Sequence, residues 1–512
     1  MKTKMFKVIQ ATVWVLGTVM LAACSSDIAE CLPTEAESTE VHTMQMKFQA
    51  SVTPFDAQMG TRAAEEWTWK DKSTVYIQFK VSNGLVRGHA VYSKAGDSWN
   101  VSYTGSIGTI GTCEVYYFDG ADASDKSSVK LNDEMGIYLD KNAVYTVSGS
   151  VVTLTAALVP YTSRLRFTGD KGVAMSVSGI TTYTGYDATQ NELIASTSPV
   201  VRIVDDGGQT PYIYGVFTDP GTRELTIENS INDPIYYKSF GANVLKAGES
   251  GYMTLPTEDT NKGWSTRAAK AEEEITIPNG DQTVSLKLKR VAFGTALMGD
   301  YNIKNENGNP TYTDNCHRIY ISGFYMGETE VTNALWNAVM GSKPKYQRSD
   351  ADEYPVANVS WEMIAGSGGF LEKLNALTGQ KFRLPTEAEW EFAAKGGRKS
   401  KGYMYAGGNT VDNVAWYSGN SGNTTHPVAQ KTPNELGLYD MSGNVAEWCQ
   451  DYWYSYTPGI QYNPVVDERQ NSDNHAVRGG SFYHNYDASY VARRNSSSPQ
   501  GTSFALGFRI AL

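Results

Sequence analysis

Apolar and polar residues begin to alternate at Met44, and this rhythm, with interruptions, governs the chain to about residue 257. Met44, Met46, Phe48, Ala50 and Val52 share one face, the period-two pattern of a half-buried strand. Further strands are expected at 75–81, 114–118, 144–158, 165–167, 225–227 and 252–255. Asp119-Gly120 and Asp219-Pro220-Gly221 punctuate them as turns. Between 44 and 257 no stretch carries the 3.6-residue apolar spacing of an amphipathic helix. This half therefore reads as all-β: two sandwiches in tandem, 44–158 and 159–257, dividing near Pro160.

Ahead of the first strand, Lys2, Lys4 and Lys7 precede an apolar run that ends in Leu21-Ala22-Ala23-Cys24. A basic start, a short apolar core and small residues before a cleavage point make 1–23 a signal peptide rather than a spanning helix. The segment resembles a bacterial lipobox. That resemblance implies a diacylglycerol on Cys24, an outer-membrane anchor facing the cell surface, and a polar tether over 24–43. The formal charge of −11 argues against nucleic acid or an anionic membrane surface as partner. Cys31, Cys113, Cys316 and Cys449 match no metal motif and no dense disulfide framework, which leaves a Cys316–Cys449 bridge open. The six histidines are scattered, so no zinc site is expected.

The lipobox, the early strand, Thr61-Arg62-Ala63-Ala64-Glu65-Glu66, Trp67-Thr68-Trp69-Lys70-Asp71 and Leu245-Lys246-Ala247-Gly248-Glu249-Ser250 together resemble the fimbrillin-like subunits of type V pili. The resemblance implies cleavage by an arginine-specific protease at Arg62, behind the first strand. Loss of that strand opens a sheet edge that a strand donated by another pilus subunit fills. The alternative is that Arg62 is a solvated loop arginine. Thr266-Arg267-Ala268-Ala269 repeats the same four letters within 258–283, a stretch rich in charge, Gly, Thr and Asn that reads as a linker.

From 284 to 512 the pattern changes to mixed α+β. Thr332 caps a helix closed by Gly341, Ser360 caps a second running to Gly379, and Thr386 with Glu389 forms a capping box. Gly327-Glu328-Thr329-Glu330-Val331-Thr332, Arg383-Leu384-Pro385-Thr386-Glu387-Ala388-Glu389-Trp390, Gly437-Leu438-Tyr439-Asp440-Met441-Ser442-Gly443-Asn444-Val445-Ala446-Glu447-Trp448, Arg478-Gly479-Gly480-Ser481-Phe482 and Gly507-Phe508-Arg509 follow one another in order. They resemble the formylglycine-generating-enzyme, or sulfatase-modifying-factor, domain, a variant of the C-type lectin fold. That family's oxidase binds copper(I) through two cysteines, for which soft thiolates suit. The matching positions here are His484 and Ser489, and no cysteine follows Cys449. Copper and formylglycine formation are therefore not expected. The resemblance also implies a calcium site from the side chains of Asp440 and Glu447 and the carbonyls of Gly443 and Val445. A weaker second site maps to Asn413 and Val414, with Asn420 opposite. The alternative is that Asp440 and Glu447 hydrogen-bond loop amides while Trp448 fills the core.

Tyr483, His484, Asn485, Tyr486, Asp487, Ala488 and Ser489, with Asn495, Ser496, Ser497 and Ser498, show no apolar period. Tyr gives contact area at low entropic cost and Ser or Asn adapts hydrogen bonds, the palette of antibody loops. A framework followed by such residues resembles proteins diversified by retroelements that mutate template adenines. All of these residues except Ala488 are Asn or one adenine change from an Asn codon. Arg478, Arg493, Arg494 and Arg509 are expected to be framework forks. The expected function is a non-enzymatic surface adhesin, at a pilus tip or as an accessory subunit, whose ligand is an extracellular protein or glycan. The alternatives are a formylglycine-generating-type oxidase and a structural or gliding-type surface lipoprotein.

Overall fold

The computed structural model describes residues 41–52, 68–82, 84–121, 128–216, 223–229, 235–240, 245, 247, 250–255, 264–299 and 316–512. Cys24 and Arg62 lie outside them. No helix among the described residues is long and apolar enough to cross a membrane.

The first strands, β1 (Val41–Val52), β2 (Thr74–Val81), β3 (Gly84–Ser93), β4 (Ser98–Thr104), β5 (Ile110–Phe118), β6 (Ser128–Lys130), β7 (Ile137–Ser148) and β8 (Val151–Pro160), build mainly one sheet. That sheet, expected as one of two sandwiches, closes on itself as a barrel in the order β1-β4-β3-β2-β5-β7-β8. Closure comes from β1, which runs antiparallel to β4 and parallel to β8. Inward positions Val75, Ile77, Phe79, Val115, Val152 and Leu154 are fully buried. Trp69 meets Trp99 and Tyr117 edge-on at 5.1 and 5.0 Å, and Phe48 of β1 meets Trp99 at 5.1 Å. These rings clamp the first strand to the barrel. The expected single strand at 144–158 is instead a β7–β8 hairpin folding at Gly149, whose φ of 58° suits glycine.

β8 ends at Pro160, yet β6 leaves the barrel and pairs with Thr182–Asp187 beyond it. Tyr76, Tyr116, Phe118, Val129 and Tyr186 share one core there, so the two β units interlock. The second unit has a five-stranded sheet in the order Val200–Ile203, Ala174–Ser178, Arg223–Asn229, Ile235–Phe240, Ser265–Arg267. A three-stranded sheet of Ile213–Gly215, Ser163–Thr168 and Ser250–Thr254 accompanies it. Leu165, Phe167, Met175, Val177, Ile213 and Ile227 fill the core.

The stretch read as a linker is largely structured. Ser265–Arg267 is an edge strand, with the Arg267 guanidinium 2.7 Å from Glu224. Glu272–Asn279 forms a hairpin with Gln282–Val291. Ile277 is fully buried there and Ile275 packs partly against the same core, an alternation masked by the surrounding glutamates. The C-terminal unit thus begins near residue 272 rather than 284.

In that unit α1 (Asn333–Met340) is capped by Thr332 and ends at left-handed Gly341, as expected. The second expected helix is broken into α2 (Trp361–Ala365) and α3 (Phe370–Thr378), because Gly366-Ser367-Gly368-Gly369 intervenes with Gly368 at φ 71°. α4 (Glu387–Ala394) carries the complete Thr386–Glu389 capping box. A four-stranded sheet, Arg494–Ser497, His475–Arg478, Ala446–Tyr452 and Leu506–Gly507 in that order, lies behind the candidate site. Cys449 within it is a fully buried free thiol, so the Cys316–Cys449 bridge is not formed.

This unit is docked on the second β unit. Phe293 packs buried against Ala174 and Val201. Glu228 accepts from the Arg290 guanidinium and from the Phe293 backbone at 3.2 Å, and the Ser176 and Ser322 hydroxyls are 2.8 Å apart.

Candidate ligand-binding face

The face rests on buried ion pairs. α4 presents Glu387 and Glu391, one turn apart, to the sheet. Arg494 grips both Glu387 oxygens at 2.6 Å and lies 3.7 Å from the centroid of the Tyr456 ring. Arg478 pairs with Glu391 and donates to the Val491 carbonyl at 3.0 Å. Burial alone would raise the Glu391 carboxyl, but Lys395 and Arg478 beside it hold it down to about 2. Arg509 gives both Glu447 oxygens a donor, at 2.7 and 2.6 Å, and Trp390 adds an indole N–H at 2.6 Å. Arg478, Arg494 and Arg509 are therefore framework, as expected. Sequence reasoning named only Glu447 among their partners. Glu387 and Glu391 left a legible signal, two acids four apart on a helix that also carries Trp390, Phe392 and alanines for the core.

Above this base, Gly480 adopts φ 69°, and a Cβ there would come 2.6 Å from the Ala488 carbonyl, so the chain turns only with glycine. The loop 483–489 then folds outward. Ser481 Oγ lies 2.7 Å from His484 Nδ1, and Ser421 donates to the Phe482 carbonyl at 2.8 Å. Ser418 donates its backbone N–H to the His484 carbonyl at 2.9 Å. Tyr483 and Tyr486 are 54% and 45% exposed, and His484, Asn485 and Asp487 are exposed beside them. Ala488 is half-buried. Ser489 is fully buried, which corrects the expectation that the whole run is surface; it closes the short 3-10 turn Tyr486–Ser489 from below.

The second run is not a free loop. Asn495, Ser496 and Ser497 lie on the edge strand Arg494–Ser497, paired with Val477, Ala476 and His475, and only Ser498 lies past it. Strand pairing needs no apolar period at an edge, so nothing in these residues announced it. The two runs nevertheless meet. A cleft of about 220 Å³ is lined by Gly480, His484, Ala488, Arg493, Arg494 and Asn495, among others.

The formylglycine-generating enzyme of Mus musculus is 30% identical over 330 residues, covering 52% of this chain and 86% of the enzyme. The chain belongs to the sulfatase-modifying-factor family. The family model, described as the sulfatase-modifying factor enzyme 1-like domain, matches residues 262–512. Chaperone protein LppX of Paenibacillus barcinonensis is 34% identical over 236 residues, covering 37% of this chain and 79% of that protein. The formylglycine-generating enzyme of Streptomyces coelicolor is 35% identical over 200 residues, and the chain spans 60% of its length. Among solved structures, Treponema denticola variable protein 1 is 30% identical, with a TM-score of 0.41, covering 48% of this chain and 99% of that one. The fimbrial anchor protein Mfa2 from Porphyromonas gingivalis is 11% identical, with a TM-score of 0.21, covering 36% of this chain and 77% of that one.

Metals expected from the sulfatase-modifying-factor family meet donors already engaged. At the copper positions stand an imidazole and a buried hydroxyl, so the thiolate pair that copper(I) needs is not supplied. Both Glu447 oxygens are taken by Arg509 and Trp390, and Asp440 accepts the Ala429 N–H at 2.7 Å. The Val445 amide and the Asn444 side chain are held by Glu330, at 2.9 and 2.8 Å. Among the described residues no group of three or more His, Cys, Asp or Glu side chains converges as a metal site. Gly443 brings its backbone against Trp416 and stands at φ 85°. The carbonyl of Asn413, beside Val414, accepts the Thr432 N–H at 3.0 Å. The Glu447 and Asp440 carboxylates that a calcium cage would need are thus already engaged, by Arg509 with Trp390 and by the Ala429 N–H. The alternative weighed for Glu447 holds in a changed form: its partners are an arginine and an indole rather than loop amides.

Proposed function

We propose that this chain is a non-enzymatic cell-surface adhesin whose C-terminal domain offers 483–489 and the adjoining cleft to an extracellular protein or glycan. The observation that carries the reading is the division of labour at the face. Arg478, Arg494 and Arg509 below are buried in ion pairs, while Tyr483 and Tyr486 are about half exposed and form no part of a buried core. Exposed aromatics on a rigid base are what a binding face needs. The missing thiolate pair speaks against turnover. The seven-residue loop is the part a retroelement could vary, because its exposed side chains leave the framework bonds untouched. In the same reading Cys24 carries the lipid to the outer membrane. Cleavage at Arg62 would release β1 so that a strand donated by another pilus subunit fills its place. Calcium has no role at residues 440–447 or 413–414 in this reading.

The full chain is to be tested on a panel of host-cell and bacterial surfaces. Replacing Tyr483 and Tyr486 by Ala should weaken capture at least tenfold while the melting temperature stays fixed. Unchanged capture removes the loop from the paratope. Conversion of a cysteine-containing peptide by the purified chain would overturn the non-enzymatic reading.

A further inference from the structure

The aromatic surface does not stop at the loop. Tyr483 meets Phe504 edge-on at 5.5 Å, and the Arg348 guanidinium lies 4.2 Å from the centroid of the Phe504 ring. Asn358 ties these segments together: its backbone N–H donates to the Ser503 carbonyl and its side-chain amide to the Lys345 carbonyl, both at 2.9 Å. Gln347 exchanges two hydrogen bonds with Ala357. The loop 345–348 is therefore pinned beside 503–504. Between the pins Tyr346 adopts φ 62° and is 85% exposed. A bulky residue pays for the left-handed region with steric strain, and here the ring gains no burial in return. Strain that local packing enforces without local benefit points to use.

Lys345 and Arg348 are exposed too, and neither makes an ion pair among the described residues. Stacking fixes the plane of the Arg348 fork while its N–H groups remain unbonded there. Such a fork is preorganised for a carboxylate.

We propose that Tyr346, Arg348, Phe504 and Tyr483 form a docking site for an acidic polypeptide. Arg348 grips a carboxylate, Lys345 adds charge, and Tyr346 enters a recess of the partner. This deepens the adhesin reading and rests on it. A polypeptide fits better than a glycan because Tyr and Arg are the anchors of protein interfaces, and a protruding ring suits a concave partner, whereas sites for small ligands are themselves concave. Asp350, Asp352 and Glu353 follow on the same segment, where Asp352 pairs with Lys343; Lys345 and Arg348 have no carboxylate among the described residues, so the charge left over on this face suits an acidic partner.

Poly-L-glutamate is the probe, with hyaluronate as a carboxylated polysaccharide for comparison, both against the immobilised full chain. Poly-L-glutamate should bind and weaken with salt. Lys345→Glu with Arg348→Glu should weaken it at least tenfold. Tyr346→Gly, which relieves the backbone, should weaken it severalfold with an equal or higher melting temperature. Absent binding, binding indifferent to the charge reversal, or equally tight binding of hyaluronate overturns the proposal. On the surface panel, loss of capture with Tyr486→Ala but not with the 345/346/348 variants sinks this inference and spares the adhesin reading. Indifference of all the variants sinks both.

Discussion

Arg509 is completely buried and serves four acceptors: both oxygens of Glu447 and the carbonyls of Gly327 and Tyr439. Arg509→Met would leave the Glu447 charge sealed in the protein, and losing one partner of a buried pair costs ~3–5 kcal/mol. Calorimetry should record that loss as a lower melting temperature for the C-terminal unit. The carboxyls around this core also set a pH profile. Asp451 is pushed up to about 7, by burial first and then by Glu387 beside it. Burial lifts Asp440 to about 6 and Glu330 well above its usual range. These raised groups bind protons more tightly in the folded chain. Their contribution is therefore fully present below the unfolded carboxyl range of ~4 and is lost as pH rises through their folded values. Glu391, held at about 2, has the opposite sign: its contribution is present above its unfolded value and disappears as pH falls toward 2. The melting temperature should therefore peak near pH ~5 and decline toward pH 8. Asp451→Asn should flatten the alkaline side; an unchanged slope would show that Asp451 is already ionised at neutral pH.

Among the barrel strands, β1 buries the fewest side chains. Of its residues only Met46 is buried, and the strand is held by backbone pairing on both sides and by Phe48 among the tryptophans. A chain lacking 41–52 should lose the barrel's melting transition, and a synthetic 41–52 peptide should restore it; recovery with a scrambled peptide would refute register-specific pairing. On α4, Thr386→Ala should cost ~1 kcal/mol, the usual worth of a cap, measured as a shift in denaturant midpoint. α1 and α4 were legible because their caps and stops are chemical and local. The break between α2 and α3 was missed because the apolar spacing of Ile364, Leu371 and Leu374 carries across the glycines. Barrel closure was illegible for a different reason. It depends on a parallel β1–β8 pair more than one hundred residues apart in sequence, and alternation records which face is buried, not which neighbour is paired. At the site, Arg478-Gly479-Gly480-Ser481-Phe482 marked the framework and the tyrosines marked the loop. Nothing local announced Arg348 or Phe504, which join the face through ring contacts and through hydrogen bonds of Asn358 and Gln347 that span distant stretches of sequence.

At the scale of the molecule, the contact between the second β unit and the C-terminal unit is both apolar and ionic. Removing Glu228 leaves Arg290, a largely buried cation, without its carboxylate. Glu228→Ala should separate the two units into distinct calorimetric transitions where the unaltered chain shows a shared one; a transition that stays single would mean that the Phe293 packing and the Ser176–Ser322 contact suffice to couple them.

The docking through Phe293 also decides how tension travels. On the adhesin reading proposed above, a cell held by the exposed tyrosines and drawn away from the anchor would pull on the C-terminal unit. That pull reaches the second β unit not only along the chain but across the Phe293 plug, the Glu228–Arg290 bond and the Ser176–Ser322 contact at the same moment. Attachments strained side by side share the force, so none meets the full tug until its companions fail, and the grip outlasts what any single one of them could bear.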